Sequence, residues 1–582
     1  MLLDRGPWKA LILLSRALFL LSFLFPESGA IAQTPPRHAP DTILVRFKDS
    51  AQLQDQALAH ALVGGHVHKH FSMVKGLQAV RIPAGMHVKE ALARYRKHPD
   101  VLYAEPDWIV HTQTVPNDPM FGTLWGLNNI GQSGGVVDAD IDAVEAWDIT
   151  TGSSAVVVAV IDTGIDYNHQ DLSANMFRNT PDCNSNGIDD DRNGKIDDCF
   201  GIDTVNKDSN PIDDHNHGTH VAGTIGAGGN NGVGVVGVNW TVRLMACKFL
   251  DAGGFGWTSD AIDCLEYVKL MKDRGVNIVA TNNSWGGGEF SQAMFDAIDA
   301  HRQRGILFIA AAGNSSLDND FTPFYPASYY LPNVIAVAAT TRTDAQAWFS
   351  NYGRRTVHLG APGDQILSTT RGNTYSIFSG TSMATPHVTG VAALLKAQDP
   401  GRDWKAIRNL LLAGGETIPS MTTTITQKRL NARGALGCSN STVLSRLVPV
   451  TDVVSGAAGT PIDLAALHIN CANPNGNVSV TVNPGGQIVT LSDDGLGSDQ
   501  EAGDGIYSGQ WTPVAGGTYA LIFPGGDVVT VQVPSNYTSA PTAFNYRTIA
   551  GANLNLSDDS SATISSPFPI LFGGASFTAT GT

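Results

Sequence analysis

Beyond Phe25 the chain has no apolar stretch of the roughly 20 residues that a bilayer crossing requires, so no later segment reads as a membrane anchor. It has no Lys/Arg cluster interleaved with aromatics. Its 37 basic residues are outnumbered by 53 acidic ones, and the resulting net charge of -16 argues against a nucleic-acid polyanion as partner. None of the six cysteines sits in a CxxC pair or a Cys/His zinc spacing. Charged residues make up only 15% of the 582 positions against 42% hydrophobic ones, the balance of a globular chain long enough for roughly two to four domains.

What is present begins with a leader. Arg5 and Lys9 precede a mostly apolar stretch from Ala10 to Phe25, and Ala30-Ile31-Ala32 stands ahead of Gln33. This reads as a secretory signal over residues 1–32, cleaved before Gln33; Arg16 interrupts the apolar run, which makes a retained anchor the weaker reading. A secreted, extracellular destination allows the cysteines to be disulfides. Proximity suggests Cys183 with Cys199, Cys247 with Cys264 and Cys438 with Cys471, although six cysteines admit about 15 connectivities.

Three further regions follow. Residues 33–112 hold the strand-like "TILVRF", "GLQAVRIP" and "VLYAEPDWIV" and the helical "SAQLQDQALAHAL" and "VKEALARYRKH", a small α+β unit placed as a processed pro-segment would be. Over residues 113–437, apolar β-type runs such as "AVVVAVID" and "ILFIAAAGN" alternate with helical segments such as "SDAIDCLEYVKLMKDRG". Strands apolar on both faces that alternate with helices predict an α/β fold, a mostly parallel sheet covered on both sides, with function at the strands' carboxyl ends. From 438 to 535, short strands separated by Gly/Pro/Asp turns predict an all-β sandwich. Residues 536–582 read as a linker and the start of a further β module, cut short at Thr582.

The stretch "FSGTSMATPHVTGVAALL" places Ser382 before a helical run with an early proline. A helix N-cap serine followed by Pro386 in the first turn is the plain structural reading. The chemical one is a hydroxyl surrounded by unpaired helix N–H groups that favour developing negative charge, a nucleophile in need of a base, an orienting carboxylate and a second oxyanion donor. Candidates for each exist. "VVVAVIDTGID" closes a buried strand with Asp162, "DDHNHGTHVAGTIG" puts His217 at a Gly-bounded helix start, and "FIAAAGNSS" delivers Asn314 just past a strand. Zinc held by His215, His217 and His220 is disfavoured, because no HExxH and no nearby glutamate accompany them. An α/β-hydrolase is disfavoured because this serine sits in GTSMA rather than GxSxG.

Together "IDTGID", "HGTHVAGT", "AAAGN" and "GTSMATPHV" resemble the subtilisin-like serine protease family, in its chain order Asp, His, Ser. The resemblance covers roughly Thr114 to Leu436, and residues 41 to about 111 look like that family's inhibitory prodomain. It implies a secreted endopeptidase made as a zymogen, with Asp162 as orienter, His217 as base, Ser382 as nucleophile and Asn314 as oxyanion donor. Its partners would be peptide substrates and its own prodomain. The competing class is a non-catalytic surface or adhesion protein with an inactive protease fold. The resemblance also implies a substrate cleft between Ser284, Trp285 and Gly286 on one wall and Ala311, Ala312 and Gly313 on the other. Phe324 stands before "YPAS" where many relatives carry glycine, which counts against a large open pocket there.

Calcium is the expected cofactor. "DCNSNGIDDDRNGKIDDC" offers Asp189, Asp191 and Asn193 at alternating positions before Gly194, then Asp197 and Asp198, the oxygen-rich pattern of a calcium loop without the twelfth-position Glu of an EF-hand. The resemblance implies a second site from Asp171, the Asn231 side chain and the carbonyls of Val233 and Val235. "DDGLGSDQEAGDGIYSG" suits calcium and plain turn chemistry about equally.

Overall fold

The computed structural model describes residues 38–108 and 114–534, with four short strands between 564 and 581. The chain divides into two units between Val533 and Pro534. The expected leader, most of the stretch after 534 and residues 109–113 lie outside the described residues.

Residues 38–108 form a four-stranded antiparallel sheet of order β2-β3-β1-β4, with β1 at His38–Phe47, β2 at His66–His70, β3 at Leu77–Arg81 and β4 at Val101–Trp108. Helices α1 (Leu53–Val63) and α2 (Val88–Tyr95) accompany the sheet, and α1 stops where Gly64 takes a left-handed conformation (φ 72). Ile43, Val45, Phe47, Val80, Leu92 and Tyr95 build its core. Strand β2, "HVHKH", is almost wholly exposed and has no apolar alternation, so the sequence gives no sign of it.

The larger body holds a nine-stranded sheet. In chain order its strands are β5 (Gly152–Asp162), β6 (Gly201–Asp203), β7 (Thr241–Lys248), β8 (Ile278–Asn283), β9 (Leu307–Ala311), β10 (Val334–Thr340) and β11 (Leu359–Pro362). A separate hairpin, β12 (Ile366–Thr370) and β13 (Thr374–Phe378), precedes the short β14 (Glu416–Thr417) and β15 (Lys428–Arg429). The sheet order is β14-β15-β11-β10-β9-β8-β5-β7-β6, parallel throughout except for the β14–β15 pair. Successive side chains of β5 go to opposite faces: Val158 and Val160 join one apolar core, Val157, Ala159 and Ile161 the other. That double burial is why the strand reads as an uninterrupted apolar run.

Seven helices serve this body: α3 (Ala143–Trp147), α4 (His217–Gly226), α5 (Thr258–Asp273), α6 (Gln292–Arg302), α7 (Thr381–Gln398), α8 (Trp404–Gly414) and α9 (Ala432–Leu436). Helices α4 and α7 contribute to one core, α5 and α6 to the other. Strand β5 lies between β7 and β8, so the chain leaves it to opposite sides, and the crevice this opens at the strands' carboxyl ends is where Asp162 stands.

Beyond α9 comes a two-sheet β region. Its strands are β16 (Thr442–Val448), β17 (Val453–Ser455), β18 (Ile462–Asn470), β19 (Asn473–Pro474), β20 (Val478–Asn483), β21 (Gln487–Leu491), β22 (Ile506–Trp511), β23 (Gly517–Ile522) and β24 (Val528–Val533). One sheet joins β16, β18, β19 and β22; the other runs β17-β24-β23-β20-β21. Leu464, Val480, Leu521 and Val531 fill the space between the sheets, while Leu467 and Ile469 of β18 belong to the larger body's core. This region is therefore packed onto the α/β body rather than tethered to it. The disulfide Cys438–Cys471 lies at the junction, and Cys183–Cys199 and Cys247–Cys264 are the other two, the nearest-neighbour pairing throughout. The second unit is described only as two antiparallel pairs, Ile564–Ser565 with Thr580–Gly581 and Ile570–Phe572 with Ala575–Phe577.

Candidate active site

Four segments meet at the carboxyl edge of the sheet. Asp162 ends β5, fully buried, and its Oδ1 accepts from the Thr163 amide (2.8 Å) and from His217 Nδ1 (2.8 Å). His217 opens α4, its side chain still 21% exposed while that of Asp162 is 0%. The glycines of both motifs let these turns touch. A Cβ on Gly218 would lie 2.1 Å from the Gly164 carbonyl oxygen, and Gly164, at φ +100, would strike the Pro211 carbonyl at 2.6 Å. No other residue fits at either position.

A second carboxylate, not singled out by any sequence motif, organises the same loop. Asp213 is buried and accepts through Oδ1 from Thr163 Oγ1 (2.9 Å), the His215 amide (2.8 Å) and the Asn216 amide (3.1 Å), and through Oδ2 from the amide (3.0 Å) and hydroxyl (2.6 Å) of Thr219. Its only signal in the sequence is an acid four residues ahead of His217. Burial works against a charge on the His217 ring, but the Asp162 carboxylate, by charge and by hydrogen bond, and Asp213 behind it outweigh that and hold its pKa above the ordinary 6.5. His220 differs: it is buried, stacks on Phe378 at 4.4 Å, and approaches the Ile366 (3.0 Å) and Ser376 (3.1 Å) carbonyls through Nε2. Burial, aided by the neighbouring His217, pushes its pKa down to about 3, and with its Nε2 turned to those two carbonyls and its ring against Phe378 it serves as packing.

Ser382 is the second residue of α7, and Gly380 is the N-cap, so the N-cap reading of the serine does not hold. Pro386 is the sixth helical residue, beyond the first turn where it was expected, and its missing N–H leaves the Ser382 carbonyl without the usual i+4 donor. Ser284 Oγ fills that gap at 2.8 Å and is itself held by Asn282 Nδ2 (2.9 Å), whose Oδ1 accepts from Thr389 Oγ1 (3.0 Å) of the same helix. The Ser382 hydroxyl donates to the Ser284 carbonyl (3.0 Å) and not to His217. Asn314 is fixed by its Oδ1, which accepts from the Thr381 amide (2.8 Å) and hydroxyl (2.9 Å). A Cβ built on Gly380 would stand 3.4 Å from Asn314 Nδ2 and 3.6 Å from the Ser382 amide nitrogen, so two donor nitrogens lie close together next to Ser382. Such a pair suits an oxyanion.

Of the expected cleft residues, Ser284, Trp285 and Gly286 follow directly on β8, and Ala311, Ala312 and Gly313 on the end of β9 lead into Asn314. Trp285 turns toward the core against Phe249 (ring centroids 4.8 Å apart) and floors a hollow of about 550 Å³ that His215, His217, Phe255 and Trp257 also line. Phe324 lies between Gly286 and Gly313.

The acidic loop is closed by Cys183–Cys199. Carboxylate oxygens of Asp182, Asp189 and Asp191 lie within 4.8 Å of one another, and Arg274 reaches Asp191 at 3.2 Å. Asp182 was not among the expected ligands. Asn193 donates through Nδ2 to Asp198 (2.8 Å), whose carboxylate also takes the Tyr267 hydroxyl (2.7 Å) and Asn179 Nδ2 (2.6 Å); burial pushes Asp198 up to about 6. Asp197 accepts the Asn186 (3.0 Å) and Gly187 (2.8 Å) amides. These last three residues thus brace the loop. At the other expected site, Asp171 accepts from Asn231 Nδ2 (2.9 Å), the Val235 amide (2.9 Å) and the Tyr375 hydroxyl (3.1 Å). Val233 donates its amide to Asn231 Oδ1 (2.7 Å), and Asp118, unforeseen, grips the loop through the Asn230 (2.7 Å) and Asn231 (3.2 Å) amides. Asp493, Asp499 and Asp504 of the β region form another acidic group.

Comparison with known proteins gives a coherent set. Residues 153–429 match the model of the subtilase family, and residues 26–107 that of the fervidolysin N-terminal prodomain. A thermophilic serine proteinase of Bacillus sp. (strain AK1) is 34% identical over 411 residues, covering 70% of this chain and 89% of that protein. Subtilisin-like protease 1 of Plasmodium berghei (strain Anka) is 35% identical over 313 residues, 51% of this chain and 50% of the relative. Among solved structures, a cold-adapted subtilisin-like serine proteinase is 32% identical with a TM-score of 0.42, covering 53% of this chain and 97% of its own.

Proposed function

This chain belongs to the subtilase family of serine endopeptidases and carries that family's type of prodomain, and on that premise we propose that Ser382, His217, Asp162 and Asn314 are the groups through which it cleaves peptide bonds. The observation that carries this is the short His217 Nδ1–Asp162 Oδ1 bond beside a helix-start serine with two donor nitrogens close together next to it. His217 Nε2 takes the Ser382 proton as Oγ attacks the peptide carbonyl, and later returns it to the leaving amine. Asp162 holds Nδ1–H and stabilises the imidazolium. Asn314 Nδ2 and the Ser382 amide receive the oxyanion. For the attack, the serine hydroxyl must turn from the Ser284 carbonyl to His217. Ser284–Gly286 and Ala311–Gly313 would receive the extended substrate between them, in the manner of an added strand.

The base must be neutral to act, so activity is lost as pH falls through the His217 pKa. Since that pKa is raised, the acid limb of kcat/KM should lie above the position of an ordinary histidine, and Asp213→Asn should move it to lower pH. A pH profile of both proteins checks this; an acid limb at or below the ordinary value in the parent contradicts it.

We further place residues 1–32 as a cleaved export signal and 33–112 as a self-removed inhibitor, making this a secreted zymogen with 113–437 as the peptidase and 438–535 as its β-sandwich. Calcium would be its resident ion. Asp182, Asp189 and Asp191 supply hard oxygen ligands of one sign whose repulsion a divalent cation would relieve, and Asp171, Asp118 and the Asn231–Val235 loop would make a second, separate site. Bound cation at a hundredfold excess over its Kd adds about 2.7 kcal/mol of stability by mass action. Chelator should therefore lower the melting temperature and speed autolysis, and Asp189→Ala with Asp191→Ala should reproduce part of that loss in calcium. Equal melting of metal-stripped protein with and without millimolar calcium would dismiss both sites.

A further inference from the structure

The cleft is partly filled by the protein itself. A peptide lying between Ser284–Gly286 and Ala311–Gly313 with its reacting carbonyl at Ser382 must drop the side chain of the attacked residue between those two walls. Both walls carry glycine at the decisive point, and Phe324 takes the room. A Cβ on Gly286 would be 2.3 Å from Phe324 Cε1 and 2.6 Å from Cζ, and a Cβ on Gly313 would be 3.1 Å from Phe324 Cγ. The glycines make space for this ring, not for a substrate side chain.

The backbone that carries the ring is held in place. The Phe324 amide donates to Ser328 Oγ (3.0 Å), and the Tyr325 carbonyl accepts from the Gly287 amide (2.8 Å), which ties the segment to the cleft wall. Next to it, Tyr325 packs on Tyr329 (4.7 Å between centroids) and Phe290 (5.7 Å), and Phe290 on Tyr329 (5.5 Å). The Tyr329 hydroxyl closes the cluster by donating to the Ser291 carbonyl at 3.0 Å. A plug braced in this way yields little to an entering side chain. Room for bulk lies instead on the other side of Ser284–Gly288, in the hollow with Phe255 (77% exposed) and Trp257 (76% exposed) on its rim.

We propose that Phe324 is a specificity-determining residue which restricts cleavage to bonds following a residue no larger than threonine, a class that the expected maturation stretch offers in Thr112 and Thr114. This rests on the peptidase reading above and names its substrate class. The test uses mature enzyme and quenched peptides identical except at the attacked residue: Ala, Ser, Leu or Phe. The ratio of kcat/KM for Ala over Phe should be at least about 100, near the limit of discrimination by an apolar pocket. Phe324→Gly should raise the Phe-to-Ala ratio at least about tenfold, as loss of a steric block requires. Should that variant fail to mature, mass spectrometry of the bonds that wild type cuts in an unfolded protein gives the same answer. Cleavage after Phe or Leu as fast as after Ala overturns the proposal. Labelling by a fluorophosphonate at Ser382 separates the two levels: labelled enzyme with a large-residue preference sinks only the plug, whereas unlabelled, inactive protein sinks the peptidase assignment.

Discussion

Ser382→Ala should abolish peptide hydrolysis and leave the chain in its full precursor form when expressed in a protease-free host. In subtilisin, loss of the corresponding serine or histidine alone costs about 10⁶ in kcat, and a comparable loss is expected here because no neighbouring hydroxyl can substitute. Ser284 Oγ is committed to the Ser382 carbonyl, and Thr381 Oγ1 to Asn314. Maturation should fail with it, since the last prodomain strand, β4, ends at Trp108 just ahead of the expected cut between about Ile109 and Pro116. Asn314→Ala, which removes one oxyanion donor and keeps nucleophile and base, should lose about 10²–10³ in kcat and mature slowly. Gel mobility and N-terminal sequence read the processing; a quenched peptide reads the activity. Normal processing of Ser382→Ala in that host would refute the self-cleavage.

The largest effect on stability should come from the junction between the α/β body and the β-sandwich. Arg408 of α8 and Asp504, ahead of β22, have side chains only 2% and 0% exposed and approach at 3.4 Å. Arg408 also donates to the Pro332 carbonyl (2.8 Å), to Asn409 Oδ1 and to the Asp504 carbonyl. Burial pushes the Asp504 carboxyl up to about 6 even with the guanidinium beside it. Arg408→Ala leaves that carboxylate without its cation and the Pro332 carbonyl without its donor, and should cost about 3–5 kcal/mol, the usual penalty for breaking a buried pair. Replacing both residues by apolar ones of similar volume should cost much less. Denaturant unfolding in the Ser382→Ala background, which removes autolysis, measures both. A loss below about 1 kcal/mol for Arg408→Ala would show a wet, loosely held junction.

Much of this molecule is legible in its sequence, for identifiable reasons. Strands β5, β9 and β10 are buried on both faces and so read as unbroken apolar runs. The site motifs are legible because backbone crowding dictates residue type: Gly164 and Gly218 cannot be anything larger, and Pro386 forces a borrowed donor for the Ser382 carbonyl. What escaped the reading depends on partners distant in sequence. Strand β18, "IDLAALHIN", the longest of the sandwich, has the Ala/Leu content of a helix and becomes a strand by pairing with β16 and β22. Asp118 and Asp213 look like ordinary loop acids until the Asn231 and His217 loops close on them. Phe324 could be seen to narrow a pocket, but that its ring lies between Gly286 and Gly313 is a fact of tertiary packing alone.

The most direct measurement is mass spectrometry of mature protein treated with a fluorophosphonate. A single adduct on the peptide containing Ser382, absent after prior denaturation, is the predicted result, because only a serine activated by His217 in the folded site reacts with such a reagent. No adduct on folded, prodomain-free protein, or an adduct on some other serine with Ser382 untouched, would contradict the assignment of Ser382 as nucleophile.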